Sequence, residues 1–90
     1  MMRMHVVARG HVQGVGFRWF VREAARSVDL AGWVRNRGDG GVEVEAEGPA
    51  AAIRELRATI ARGPLGAVVA SVDELEVTAD ALPAPFAILR

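Results

Sequence analysis

The chain has 90 residues, 51% apolar and 24% charged, which suits one domain burying roughly 60% of its unfolded surface and lies outside the disordered regime. Basic and acidic side chains balance at 11 each, so no whole-molecule field draws in nucleic acid or an anionic membrane, and any attraction for anions is local. Every basic residue is arginine and cysteine is absent, which excludes Schiff-base lysines, a P-loop lysine, thiolate nucleophiles, disulfides and zinc-thiolate sites.

From Met2 to Arg9, residues Met4, Val6 and Ala8 alternate with Arg3, His5, Val7 and Arg9, which predicts a strand with one buried face. No signal-peptide pattern or membrane-length apolar run is present, so the expectation is a soluble cytoplasmic protein. A glycine-rich stretch, Gly10 to Arg18, follows. Between Phe17 and Val28 the apolar positions Phe17, Phe20, Val21, Ala24, Ala25 and Val28 recur at helical spacing, with polar residues on the other side, which predicts an amphipathic helix.

Leu30 to Arg37, the turn Gly38-Asp39-Gly40-Gly41, and the alternation of Val42, Val44 and Ala46 with Glu43, Glu45 and Glu47 read as a β-hairpin. The three glutamates are expected on the solvated sheet face, near Arg9, Arg35 and Arg37. Gly48-Pro49 opens a second helix, with the proline suited to its first position, and Gly63-Pro64 closes it. Ala67 to Val77 has the β-branched character of a fourth strand, and Phe86 to Leu89 could add a short terminal one. The order βαββαβ plus a short C-terminal strand predicts a single α+β domain over residues 1–90. Its expected architecture is a ferredoxin-like α/β sandwich, an antiparallel sheet with two helices on one face.

Gly10, Gly14 and Gly16 sit between a strand and a helix, where they can take positive φ and turn backbone N–H groups inward toward an anion. The helix beginning near Phe17 adds unpaired N–H groups, and Arg18 adds a planar donor fork. A tight strand-to-helix connection with Arg18 solvated would use the same residues, and spacing alone does not separate the two. Trp19 stands where G-x-G-x-x-G would need glycine, and no G-K-[ST] follows, so nucleotide-binding signatures are rejected. The loop is also laid out like the C-x5-R loop of cysteine-dependent phosphatases, but Val12 occupies the nucleophile position and no serine or threonine lies in the loop. Water is left as the nucleophile. In the hairpin, Asn36 shares parity with Val34, so it should face the apolar side, where an amide needs a partner. His5 and His11 do not form a metal pair.

Taken together, GHVQGVGFR and GWVRNRGDGGVEVEAEG, with Arg62-Gly63-Pro64 and the closing Phe86-Ala87-Ile88-Leu89-Arg90, resemble the acylphosphatase family from end to end. The resemblance implies hydrolysis of the carboxyl–phosphate bond of a small acyl phosphate, with no cofactor and no metal. It implies that Arg18 binds the phosphoryl group together with the backbone N–H groups of Val12, Gln13, Gly14, Val15, Gly16 and Phe17, and that Asn36 positions the attacking water. A monomer that binds neither nucleic acid nor membrane is expected. An RNA-recognition module of the same topology would display aromatic residues where Glu43, Glu45 and Glu47 stand, and a metal carrier would need the missing cysteines. Similar domains also form the N-terminus of a large hydrogenase-maturation carbamoyltransferase; the closing Phe86 to Arg90 favours a stand-alone enzyme.

Overall fold

The computed structural model describes residues 1–90. Its elements are β1 (Met2–His11), α1 (Phe17–Ser27), β2 (Ala31–Asn36), β3 (Val42–Gly48), α2 (Ala50–Arg62), β4 (Val68–Glu74) and β5 (Ala87–Ile88). The strands form one sheet in the order β4-β1-β3-β2-β5. The four longer strands are antiparallel, as the ferredoxin-like reading requires, whereas β5 joins parallel to β2, so the completed sheet is mixed.

Strand alternation sends Met4, Val6 and Ala8 of β1, Val34 of β2 and Val42, Val44 and Ala46 of β3 to one face. There they pack with Phe17, Val21 and Ala25 of α1 and Ile53, Leu56 and Ile60 of α2 in a single core, so both helices cover the same side. The second helix begins one residue later than the sequence suggested. Pro49 is its cap, with an extended ψ of 143°, and Gly63 ends it at φ 68°. No helix is long and apolar enough to cross a membrane.

β1 runs two residues past the expected Arg9 because it can approach β4 very closely at a bulge between Arg9 and Gly10. Gly10 has φ 129°, and a Cβ there would lie 2.2 Å from the Val68 carbonyl oxygen. Only glycine fits, and the strand carries straight on into the loop that follows.

The helix-free face differs most from expectation. Glu43 and Glu45 are 3% and 1% exposed, not solvated. The reason is the segment after β4: the chain leaves the sheet edge at Leu75, short of the expected Val77, and crosses this face as a strap. Leu75 N–H donates to the His5 carbonyl at 2.8 Å, and His5 Nδ1 donates to the Glu76 carbonyl at 2.7 Å. Thr78 donates to Glu45 through its N–H at 2.8 Å and its hydroxyl at 3.0 Å. Arg3 Nη1 donates to the carbonyls of Thr78 and Asp80, and Gly32 N–H donates to the Pro83 carbonyl. The strap thus touches β1, β3 and β2 in turn. Glu43 is hydrogen-bonded to His5 Nε2 at 2.6 Å and accepts from Arg35 at 3.0 Å. No buried side-chain nitrogen or oxygen lacks a partner, which is what makes buried carboxylates tolerable.

Burial pushes the Glu43 carboxyl up, but hydrogen bonds from His5 and Arg35 outweigh it, and the net position is below the ordinary value. Asp39 is held down to about 2, first by the Gly41 N–H and then by Arg37 and Arg9. A carboxylate whose folded value is depressed stabilises the fold above its unfolded value, near about 4, and that contribution disappears as pH falls through the folded one. The urea midpoint is therefore expected to fall between pH 5 and pH 2, and Glu43→Gln should flatten part of that slope. An unchanged slope in the variant would contradict the assignment.

Candidate active site

Beyond β1 the chain turns through residues 12–16 before α1 begins. Val12 and Phe17, 1% and 2% exposed, anchor the two ends of the turn in the core. Gly14 and Gly16 take φ 78° and 77°, one on either side of Val15, and Gly16 is the cap of α1. The first backbone hydrogen bond after the turn is Phe20 N–H to the Gly16 carbonyl at 3.0 Å; none of the N–H groups of residues 12–19 has a backbone acceptor. A run of unpaired donors wrapped around left-handed glycines and ending at a helix N-terminus is the geometry that an anion-binding concavity requires.

Arg18, the second residue of α1, is half-buried and lines a cavity of about 160 Å³ with Val12, Gly14, Gly16, Phe17, Trp19, Asn36, Ile88 and Arg90. Arg18 has no acidic partner, in contrast to Arg9, Arg35 and Arg37, which are each paired with Asp39, Asp73 or Glu43. Its guanidinium is free to take a ligand oxygen pair.

Asn36 ends β2. Its parity with Val34 does turn it to the helix side, but it is exposed and needs no buried partner, because it faces this cavity and not the core. The structure therefore brings together Arg18, Gly14, Gly16, Phe17, Val12 and Asn36 in one lining. Gln13 and Val15 belong to the same turn but do not line the cavity. Asn36 and Arg90 also border a larger polar cleft of about 460 Å³, whose Arg35 and Arg37 are already tied to Glu43 and Asp39.

Three features of this region were not anticipated. Trp19, 58% exposed, stands beside Arg18 at the rim. The terminal strand supplies Ile88 and brings in Arg90, because Leu89 N–H bonds the Val34 carbonyl and holds this segment alongside β2. Gln13, expected to contribute only its N–H, uses its side chain: Nε2 donates to the carbonyls of Arg37 and Gly41 at 2.8 and 2.9 Å. Partners that are main-chain atoms leave no trace in a sequence pattern.

The family model described as acylphosphatase matches residues 4–88. The chain belongs to the acylphosphatase family. It is 51% identical over 77 residues to the acylphosphatase of Rhodopseudomonas palustris strain BisB18, covering 86% of this chain and 78% of that protein. To the acylphosphatase of Chlorobaculum tepidum it is 44% identical over 87 residues, covering 97% of this chain and 95% of the other. Among solved structures, the acylphosphatase from Bacillus subtilis superposes with a TM-score of 0.85 at 38% identity over all of both chains. The acylphosphatase-family fold also recurs inside a larger protein. HypF from T. kodakarensis matches 98% of this chain with 12% of its own length, at a TM-score of 0.84 and 30% identity.

Proposed function

We propose that this family member hydrolyses small acyl phosphates with Arg18 and the N–H groups of the Val12–Phe17 turn holding the phosphoryl oxygens, and Asn36 holding the attacking water. The observation that carries the division of labour is the single cavity shared by Arg18, Gly14, Gly16 and Asn36. In it the donors for the phosphoryl group lie on the α1 side and a free amide lies on the β2 side.

Water forms a bond to phosphorus in line with the departing acyl oxygen, the P–O bond to that oxygen breaks, and a carboxylate leaves. The conjugate acid of that leaving group has a pKa of about 4 to 5, so it departs unprotonated at neutral pH and no general acid is required. The water's proton is taken by a phosphoryl oxygen, giving inorganic phosphate. What the protein supplies is alignment and compensation of charge on the equatorial oxygens. Action as a monomer in the cytoplasm belongs to the same reading, and the cysteine-free composition requires no oxidising compartment.

Benzoyl phosphate and p-nitrophenyl phosphate, assayed side by side in excess EDTA, test the reading. The expected result is sustained hydrolysis of the anhydride with a kcat/KM well above that for the ester. Preference for the ester, or loss of anhydride hydrolysis on chelation, would overturn it.

A further inference from the structure

We infer that the Gln13 side chain is a positioning residue that fixes the distance between the phosphate-holding turn and Asn36; this rests on the roles proposed above for both. In the sheet, β1 and β2 are not neighbours, because β3 lies between them. Two strand spacings, about 10 Å, separate the strand that leads into the turn from the strand that ends at Asn36, and no ladder hydrogen bond joins them directly. Gln13 does so.

Gln13 follows Val12 and precedes Gly14, both of which line the cavity. Its half-buried amide nitrogen donates one proton to the carbonyl of Arg37, the residue after Asn36, and the other to the carbonyl of Gly41. Those two residues also close the hairpin turn on themselves, through Arg37 N–H to the Gly41 carbonyl at 2.8 Å. One amide thereby clamps both ends of the hairpin turn and ties them to the phosphate loop. Two carbonyl acceptors demand two protons on one nitrogen, which glutamine supplies; glutamate and methionine, of nearly the same length, supply none at neutral pH.

The chemistry asks for this link. A water held on one structural unit must lie in line with a phosphorus held on another, and a misplacement of about 1 Å costs on the order of 100-fold in rate. Binding of the phosphoryl group draws on the turn and Arg18 alone, so it does not need the link. Loss of the clamp therefore reads out as turnover and not as affinity for the anion.

Gln13→Met and Gln13→Glu are compared with the parent using benzoyl phosphate for kcat and inorganic phosphate as a competitive inhibitor, at a temperature where circular dichroism shows each protein folded. Expected is a fall in kcat on the order of 10- to 100-fold with the phosphate inhibition constant within about threefold. Each is then combined with Asn36→Ala. With Asn36 gone there is nothing left to position, so the double variant should turn over no more than about threefold slower than Asn36→Ala alone. Parental kcat in both folded Gln13 variants, or losses that multiply in the double variants, would overturn the inference and leave the site assignment standing. Parental turnover in Asn36→Ala itself would remove the reading on which the inference rests.

Discussion

Arg18→Ala is expected to lower kcat/KM for an acyl phosphate by about 10³-fold or more, corresponding to ~4 kcal/mol of lost transition-state stabilisation. The size follows from what is removed. Loss of a single neutral donor to a developing oxyanion costs about 10²- to 10³-fold, and a guanidinium withdraws a charge and a two-pronged donor together. Arg18 is half-buried, lies outside the buried side of α1 formed by Phe17, Val21 and Ala25, and has no ion-pair partner to orphan. The urea midpoint should therefore stay close to the parent's. Arg18→Lys restores charge without the fork and should recover only part of the loss. A folded Arg18→Ala protein that hydrolyses benzoyl phosphate at the parental rate would exclude the assigned role.

Asn36→Ala is expected to lower kcat on the order of 100-fold while inorganic phosphate still binds. Asn36 is exposed at the end of β2, so shortening it leaves no core void, and the turn and Arg18 retain every donor they direct at the phosphoryl group. On the proposed division of labour, its loss removes only the holder of the nucleophile. A rise in KM and in the phosphate inhibition constant with kcat preserved would mean that the amide binds the anion, and the division of labour across the cavity would have to be redrawn.

The helix-side half of the molecule was open to reading from the sequence because a single physical signal governs it. Alternation in β1 and β3 and the three-to-four spacing in α1 and α2 both report burial against the same core. That Arg18 and Asn36 line one cavity was legible in part for a related reason: Arg18 lies a few residues from the loop glycines and parity with Val34 aimed Asn36 at the helix side, while the roles proposed for them came from the family resemblance. What parity does not encode is whether loop backbone will cover a face. Glu43 and Glu45 read as solvated because their alternation with valines is that of a one-sided sheet. The strap from Leu75 to Pro83 covers that face with main-chain groups, and the glutamates are there to accept from Thr78, His5 and Arg35. The parallel pairing of β5, with two residues in register against Trp33 and Val34, was hidden likewise, since strand direction depends on the path of the strap.

Gly14 and Gly16 sharpen the meaning of a glycine-rich loop. A methyl group on either would meet nothing within 4 Å, yet both residues sit at φ values that L side chains rarely adopt. Space is not what excludes other residues there; handedness is, at about 1–2 kcal/mol per position. The specification for the proposed anion grip is thus written in torsion angles, and the side chains on Gln13 and Val15 are left free to serve other ends. In this loop, chirality sets the limit on sequence drift.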